Sequence, residues 1–551
     1  MTNSSDHEAS DAQSIRNLGD ADVDVTVSAY KDSDCTPVGE KRLTVIIRGT
    51  GNVLSEKEFY LYTSQDVSTF ESHQLTDAVL PDRVLDCSDV SNPKLVETNG
   101  MQRGLYVALS YVWGGPQPMT TSKNIDAYTT KGLIISEFPQ TIQDAVLVTH
   151  NLGQRYLWID ALCIIQDSDK DKVQQLGKMH SIYRNSYFTI NAACANGTRE
   201  GFLKKTRPQR VPSAQVPFPC PDGTMGSVWL AKSLDTDSQD ASHSYWDELD
   251  PITHRGWCYQ EKLLPPRSLI FASDTLKYYC QTETVSIGDA LCEPSTGRRL
   301  PNSAYMHTKM TSESDQIAYR QAWLATIFMY TLRSISVSSD KLPALAAVVE
   351  QFHIVSKDQY LAGLWGQTLL SDLLWASEGR SPRPTEYRAP SWSWASIDGL
   401  IRAEYRVDLL AYPKSDDDSS HLRTATISSC DVEIWSQTTP FGRVTGGALT
   451  LNGFIREVRA GESTSKLSID GSGGTKEIGA VIFDAEEERK GPLFVIPIIW
   501  DIRGSFILGL VVVVEDSARP AYKRVGRFEN SYGKKDISWL DGLKEQKIVL
   551  V

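Results

Sequence analysis

The sequence predicts an α/β fold with an open parallel sheet, extended by a helical layer and a C-terminal β-rich unit. Between residues 100 and 275, short apolar segments typical of buried strands alternate with amphipathic segments typical of helices. Parallel strands need helical crossovers, and those helices cover both faces of the sheet. After residue 420, strand patterns separated by Gly-containing turns dominate, which favours a β-sandwich or barrel-like unit.

The predicted α/β domain consists of four strands and three helices. The helices are expected at 138–152, 169–184 and 255–264. The first has the clearest pattern, because Ile142, Ala145 and Val146 repeat on one face and Gly153 follows its end. The strands are expected at VALSYVW (107–113), YLWID (156–160), FTINAA (188–193) and SLIFA (268–272).

Polar and aromatic residues gather just after these strands end. In open parallel sheets the ligand site lies outside the carboxyl ends of the strands, so these residues are expected to converge. They are Ser110, Tyr111, Trp113, Gly114, Asp160, Cys163 and Gln166.

Several of these residues have a structural interpretation beside a functional one. Trp113 and Tyr111 offer π faces to a flat base, but aromatic residues at strand ends are also common in cores and lids. Gly114, followed by a second glycine, permits close backbone approach to a ligand. Asp160 is a candidate for binding a ribose hydroxyl or for capping a backbone turn. Gln166 is interpreted as a polar ligand contact or as a residue that shapes its loop.

Composition and charge restrict the class of protein. The chain has 551 residues, of which 41% are hydrophobic and 23% charged, as in globular proteins. Its net charge of −13 argues against a nucleic-acid-binding protein, which needs a basic face. The longest apolar stretch, Phe506–Val514, is far shorter than the roughly 20 residues that span a bilayer, and no secretory signal is recognised. We therefore expect a cytoplasmic protein without a membrane span.

Cysteine usage suits a reducing compartment. The nine cysteines are scattered without tight pairing. Metal-binding patterns such as CxxC or HExxH do not occur in the sequence, so no metal site is expected. Cys163 has no His beside it in the sequence to activate it, and a small buried cysteine is the alternative to a nucleophile.

Changes in composition divide the chain into five segments. Met1–Asp34 contains eight Asp or Glu and two Lys or Arg, so the chain is expected to start with a disordered tail. Within residues 276–414, helices are expected at Ala322–Leu332, Lys341–Phe352 and Gln359–Trp375, and the acidic linker Ser415–Ser420 follows. The segments are an acidic tail (1–40), a small β-rich segment (41–99), the α/β domain (100–275), a helical elaboration (276–414) and the C-terminal β unit (421–551).

Four segments in this order resemble the fungal heterokaryon-incompatibility (HET) domain family. The motif APSWSWASIDG (389–399) is similar to a longer form of the same family. The resemblance implies a flavodoxin-like or TIR-like parallel sheet, and a role in self/non-self recognition or as a cell-death effector. The four segments are YVALSYVWGG (106–115), FPQTIQDAVLVTHNLGQRYLWIDALCIIQD (138–167), MHSIYRNSYFTINAA (179–193) and RGWCYQEKLLPPRSLIF (255–271).

The resemblance also singles out Glu261. HET domains are similar to TIR domains, whose NAD-cleaving members carry a glutamate in a Trp-Cys…Glu helix, and here that pattern falls on Trp257, Cys258 and Glu261. It implies Glu261 as the catalytic carboxylate, Trp257 as a ligand contact and NAD as a substrate, with no cofactor. A carboxylate beside the ribose can stabilise the oxocarbenium-like state in which the nicotinamide–ribose bond breaks. The alternative is a structural ion pair of Glu261 with Arg255, Lys262 or Arg267.

One departure from the family pattern keeps other functions open. Lys172 and Gln175 stand where the family usually carries a Trp and then a Glu, so a carboxylate is lost. One alternative is a HET-like enzyme of a fungal secondary-metabolite pathway that catalyses a dehydration, cyclisation or isomerisation. Another is a non-catalytic interaction protein. The expected partners are a small-molecule ligand or NAD, and a second copy of the chain or another protein.

Overall fold

The computed structural model divides into two compact units to which the chain contributes in an interleaved order. The first unit contains Met1–Thr253 and Pro265–Thr296, and the second contains His254–Leu264 and Gly297–Val551. The structure describes residues 13–14, 23–31, 40–49, 52–62, 78–203, 214–219, 225–230, 250–273, 276–280, 284–287, 300–378, 382–403, 421–461, 465–471, 474–485, 488, 492–501, 506–516, 521–530 and 538–551.

The first unit begins with a four-stranded antiparallel sheet in sequential order. Strands β1 and β2 lie within residues 1–40, for which the sequence predicts a disordered tail. The strands are β1 (Gln13–Ser14), β2 (Val23–Lys31), β3 (Glu40–Gly49) and β4 (Asn52–Tyr62).

An eight-stranded mixed sheet forms the centre of the first unit. Its strands are β5 (Arg83–Asp86), β6 (Lys94–Glu97), β7 (Tyr106–Ser110), β8 (Tyr156–Trp158), β9 (Phe188–Asn191), β12 (Arg267–Phe271), β13 (Leu276–Cys280) and β14 (Thr284–Ile287), and the hairpin β10 (Ala214–Pro219) and β11 (Met225–Leu230) is separate. Their spatial order is β14-β13-β12-β9-β7-β8-β5-β6.

The four strands predicted from the sequence are the parallel centre of this sheet. β7 pairs in parallel with β8 and β9, and β9 pairs in parallel with β12, whereas both edges of the sheet are antiparallel. In chain order the four central strands therefore lie 2-1-3-4, the order with which a flavodoxin-like sheet begins. The predicted α/β architecture is confirmed at the level of a mixed sheet; its antiparallel edges were not predicted.

Among the residues that the structure describes, five α-helices belong to the same unit. α2 confirms the predicted helix at 138–152, and Gly153 follows it with a positive φ of 68°. The helix predicted at 169–184 is instead two helices that separate at Gly177, because a glycine within a helix weakens it. The helices are α1 (Ile125–Thr130), α2 (Gln140–Asn151), α3 (Asp160–Cys163), α4 (Asp169–Leu176) and α5 (Met179–Arg184).

Successive side chains of β7 lie alternately on the two faces of the sheet. Val107 and Leu109 join the apolar cluster that includes Ile142 and Val146 of α2. On the other face the hydroxyl of Tyr106 donates to the carbonyl of Ile182 in α5. Every residue of β7 is buried, as expected for a strand covered on both sides.

The second unit has a helical part. α8 begins with a capping box in which Ser312 and Asp315 satisfy each other's backbone N–H groups. The prediction of a helix at Gln359–Trp375 was wrong over most of its length. Residues 360–365 form a hairpin, because Ala362 and Gly363 adopt positive φ values of 47° and 106°. The helices are α6 (Trp257–Leu263), α7 (Asn302–Met306), α8 (Glu313–Thr331), α9 (Ala346–Ser356) and α10 (Leu369–Asp372), and the short strands are β15 (Tyr360–Leu361), β16 (Leu364–Trp365), β17 (Ala376–Glu378) and β18 (Leu400–Arg402).

Ten further strands complete the second unit. They are β19 (His421–Arg423), β20 (Ala425–Ile434), β21 (Val444–Gly453), β22 (Arg456–Ala460), β23 (Lys466–Gly471), β24 (Gly474–Phe483), β25 (Leu493–Asp501), β26 (Phe506–Asp516), β27 (Ala521–Asn530) and β28 (Gln546–Leu550). The pairings β25-β22-β23-β24-β27-β26-β25 close a ring, which agrees with the predicted barrel-like unit. No helix in the described part of the chain combines the length and apolar character needed to span a membrane.

A buried arginine joins the barrel to the helical part of the same unit. Arg524 of β27 is fully buried, and its guanidinium hydrogen-bonds Asp484 at 3.0 and 3.2 Å. It also donates to the carbonyls of Leu373 and Trp375 at 2.6 Å each, and lies 3.4 Å from the centre of the Trp375 ring. Each nitrogen of this guanidinium therefore donates to a protein oxygen in place of the water that it loses on burial.

We predict that Arg524→Met lowers the free energy of unfolding by about 3 kcal/mol, because buried Asp484 loses its hydrogen-bonded cation and keeps the more distant Arg383, at 3.8 Å. Urea denaturation measures this change. Arg459→Met is the control: its ion pair with Asp470 is exposed, so removing it should cost about 0–1 kcal/mol. Adding Asp484→Leu to Arg524→Met should restore part of the stability. An equal loss in the Arg524 and Arg459 variants would contradict the role of burial.

Candidate functional site

The carboxyl ends of β7, β8 and β9 lie at one edge of the central sheet. Ser110 ends β7, is fully buried and lies beside Asn191, the last residue of β9. The backbone N–H of Ala192 donates to the Ser110 carbonyl at 2.9 Å. Asp160 follows β8 and starts α3. Adjacent strand ends thus bring the residues predicted after β7 and β8 to one edge of the sheet.

Trp113 and Asp160 are in direct contact. The indole N–H of Trp113 donates to one carboxylate oxygen of Asp160 at 2.9 Å. The other oxygen accepts from the backbone N–H of Ala161 at 2.6 Å. Asp160 therefore fixes the orientation of the Trp113 ring while its other oxygen contacts the adjacent backbone, and both side chains remain partly accessible.

Tyr111 is a core residue. Its ring belongs to the apolar cluster on the α2 side of the sheet, and its exposed fraction is 3%. The amide nitrogen of Gln117 donates to its hydroxyl at 3.0 Å. Of the two aromatic residues considered for stacking, Trp113 is the partly exposed one.

Gly114 allows a close approach between two loops of the chain itself. Its φ is +66°, and a Cβ atom at this position would lie 2.5 Å from the Cα of Gly197 in the loop after β9. The backbone N–H of Thr198 donates to the Trp113 carbonyl at 3.3 Å in the same contact. The loops that follow β7 and β9 are therefore joined where the sequence predicts room for a ligand backbone contact.

Gln166 and Cys163 support the loop that follows β8. The side-chain amide of Gln166 donates to the Asp160 carbonyl at 3.0 Å, and its backbone N–H donates to the Thr120 carbonyl at 2.8 Å. Burial raises the pKa of the Cys163 thiol to about 12. A thiol that stays protonated near neutral pH is a poor nucleophile, which favours the structural interpretation of Cys163.

Asn191 lies at the same edge of the sheet, although its position in the sequence did not predict it as a site residue. It is buried, and among the described residues its side-chain amide oxygen has no hydrogen-bond partner. The signal in the sequence is an amide residue at the end of the buried strand FTIN.

Gln175, at the position where the family usually has a carboxylate, is part of a structural network. It is 1% exposed, and its amide nitrogen donates to Asp82 at 2.8 Å. Lys178 donates to the same Asp82 oxygen at 2.6 Å. Burial opposes ionisation of Asp82, but the hydrogen bonds from Lys178 and Gln175 and the charges of Lys178 and Arg83 lower its pKa overall. In this chain position 175 therefore supplies a hydrogen-bond donor, and the carboxylate that it contacts is that of Asp82.

Glu261 and Trp257 lie on α6, which belongs to the second unit. Glu261 is 6% exposed, and its neighbour one turn earlier is the buried Cys258. Burial, and then the negative charge of Glu261, raise the pKa of the Cys258 thiol well above its usual value. The indole N–H of Trp257 donates to Asp340 at 3.1 Å. A cleft shared by Glu261 and the strand-end residues stays a prediction, because α6 and the strand ends belong to different units.

Two cations lie close enough to α6 to act on its charges. Both Arg255 and Arg333 lower the pKa of Cys258 against the effect of its burial. Arg333 also lies over the ring of Tyr259, 4.9 Å from its centre, and donates to the Arg255 carbonyl. Arg267, another cation considered as a partner of Glu261, donates to the carbonyl of Tyr187 at 3.4 Å.

In the part of the chain that the structure describes, no group of three His, Cys, Asp or Glu side chains could hold a metal ion.

Comparison with known proteins identifies the central part of the chain. Residues 106–261 match the family model described as heterokaryon incompatibility protein (HET). The match begins at the first residue of β7 and ends at Glu261, and it confirms the resemblance predicted from the sequence. No curated protein and no solved structure matches the chain significantly.

We predict that Gly114→Ala destabilises the protein more than Gly153→Ala does. Both glycines have nearly the same positive φ, but a Cβ atom at Gly153 meets nothing within 4 Å. Gly153→Ala should therefore cost about 1 kcal/mol from its backbone conformation alone. Gly114→Ala should cost roughly 1–3 kcal/mol more, because Gly197 has to move. Thermal denaturation compares the two variants, and equal losses would show that the Gly114–Gly197 contact is not tight.

We predict that Gln175→Glu lowers the free energy of unfolding at pH 7 by about 1–3 kcal/mol, because it replaces a buried donor to Asp82 with a second carboxylate. The pKa of Asp82 is lowered in the folded state, so its stabilising effect is present at neutral pH and is lost as the pH falls through that pKa. The difference between variant and wild type should therefore narrow as the pH falls.

Urea denaturation at several pH values tests this prediction. Gln174→Glu is the matched control, because exposed Gln174 donates to the same Asp82 oxygen at 3.2 Å. It should cost clearly less than Gln175→Glu. A stabilising effect of Gln175→Glu would show that position 175 can accept the carboxylate usual in the family.

Proposed function

We propose that this chain is a heterokaryon-incompatibility-type effector whose HET domain binds NAD and cleaves the nicotinamide–ribose bond. The family match at residues 106–261 supports the first part of the proposal, since it spans both the strand-end residues and the helix with Glu261. The 2-1-3-4 order of the parallel strands is compatible with the TIR-like relationship that the resemblance implies.

The observation that carries the proposal is the buried carboxylate of Glu261. A carboxylate that is almost fully removed from water acts more strongly on nearby charge than an exposed one. In the reaction the bond between ribose C1′ and the pyridinium nitrogen breaks, and neutral nicotinamide leaves. Water then adds to C1′ and releases a proton. The negative charge of Glu261 is suited to stabilise the cation that develops on the ribose between these events.

The strand-end residues of the first unit carry groups that are suited to bind a flat base and a ribose. Trp113 keeps a partly exposed ring whose orientation is fixed by the hydrogen bond to Asp160. Asp160 can accept a further hydrogen bond from a ribose hydroxyl, since a carboxylate has about four acceptor positions. Ser110 and Asn191 add polar groups at the point where the loops after β7 and β9 diverge from the sheet.

A non-catalytic binding protein is the second candidate. It is favoured by the way in which Trp113, Asp160 and Gln166 hydrogen-bond one another or nearby backbone, which is sufficient to explain them as loop supports. Such a protein would bind NAD without releasing nicotinamide.

We predict that Glu261→Gln reduces nicotinamide release from NAD by roughly 10²–10³-fold while the protein stays folded, because the amide keeps the volume but removes the negative charge. Chromatography of the products measures release, and circular dichroism monitors folding. Glu488→Gln is the control, since Glu488 is also 6% exposed and its ion pair with Arg383 lies away from α6 in the sequence. It should lower stability and leave release per folded molecule unchanged. If the wild type binds NAD without cleaving it, the non-catalytic candidate is correct.

A further inference from the structure

Helix α6 contains a buried side-chain amide with no hydrogen-bond partner. Gln260 is 1% exposed, and neither its amide oxygen nor its amide nitrogen has a partner among the residues that the structure describes. Two other buried glutamines differ. Gln175 donates to Asp82, and Gln351 contacts His307 at 3.0 Å and donates to the Ala347 carbonyl.

An unpaired amide at this depth is unfavourable for folding. The group loses its water when the protein folds and gains no hydrogen bond in return, and native proteins rarely leave both a donor and an acceptor in that state. A leucine or methionine would fill the same space without this cost. A group that binds in the functional state and supplies both missing partners explains why a glutamine is present.

The neighbours of Gln260 on the helix indicate what such a group looks like. Trp257 precedes it by three residues, so the two side chains lie on the same side of α6. The Trp257 ring is partly exposed, and its hydrogen bond to Asp340 fixes its orientation. A planar ligand can stack on such a ring while its edge reaches the amide.

We infer that Gln260 pairs with the edge of a planar ligand that presents an N–H donor next to an acceptor, as a primary carboxamide or an adenine ring does. An amide side chain forms two parallel hydrogen bonds with such an edge. The inference rests on the proposed function, because NAD carries both groups, a carboxamide on nicotinamide and an adenine at its other end. It assigns to Gln260 the recognition of one of them.

Equilibrium binding to the full chain tests the inference and distinguishes the two groups. Nicotinamide mononucleotide carries the carboxamide without adenine, and ADP-ribose carries adenine without the carboxamide. Calorimetry compares both probes on wild type, Gln260→Leu and Gln260→Met, with Gln351→Leu as the control because its amide is equally buried but paired. Differential scanning fluorimetry gives the Tm of each unliganded protein.

We expect each Gln260 variant to lose at least tenfold in affinity for one probe and to keep its affinity for the other within twofold. The Tm of the unliganded variant should be unchanged or higher, because an unpaired amide has been removed. Gln351→Leu should show the reverse, a lower Tm with unchanged affinity. Loss confined to nicotinamide mononucleotide assigns the carboxamide, and loss confined to ADP-ribose assigns adenine.

Three results would overturn the inference: unchanged affinity for both probes, an equal loss for both, or a Tm that falls in both Gln260 variants. If wild type binds NAD and the Gln260 variants bind it equally well, only this inference fails and the proposed function stands. If wild type binds neither probe nor NAD, both fail together.

Discussion

The central sheet depends on the parallel pairing of β7 along both of its edges. All five residues of Tyr106–Ser110 are buried, and neighbouring strands hydrogen-bond them on either side. Such a strand is stable only if helices cover both faces, which α2 and α5 do. The same pairing aligns the carboxyl ends of β7, β8 and β9, so the loops that carry Trp113 and Asp160 have to meet. The geometry of the strand-end region therefore follows from one backbone constraint.

A second constraint is that buried polar groups need hydrogen-bond partners, and most of those that the structure describes have them. Arg524 and Asp484 satisfy each other inside the second unit, and Gln175 donates to Asp82 in the first. The contribution of these pairs to stability is sufficient to explain why these charged and amide groups are buried. Asn191 and Gln260 are among the departures from the rule in the described part of the chain, because the side-chain oxygen of Asn191 and both amide atoms of Gln260 are buried without a hydrogen-bond partner. Departures of this kind are expected more often at functional or strained sites than elsewhere, which is why Gln260 carries the inference made above.

The sequence predicted the strand-end region better than the details within it. Trp113 and Asp160 could be expected at one edge, because strand ends in a parallel sheet have a fixed relation to one another. Their direct hydrogen bond could not, since it depends on the path of two loops. Gly114 illustrates the same limit: the sequence indicates that its backbone approaches something closely, and only the structure shows that the neighbour is Gly197. Gln175 could be recognised as a change from the family pattern, but its partner Asp82 lies far away in the sequence.

The amino-acid sequence by itself determined the parallel strands, helix α2, the barrel-like end of the chain and the HET resemblance, because these depend on local periodicity and on motifs within short segments. Tertiary structure decided the antiparallel edges of the sheet, the hairpin at residues 360–365 and the ring closed by β25 and β26. It also decided which buried polar groups are paired. These features arise from contacts between residues distant in the sequence, and the hydrophobic pattern of a segment does not specify its partner. For the same reason Gln260 could be read in the sequence only as part of a motif, and its unpaired amide became visible in the folded chain.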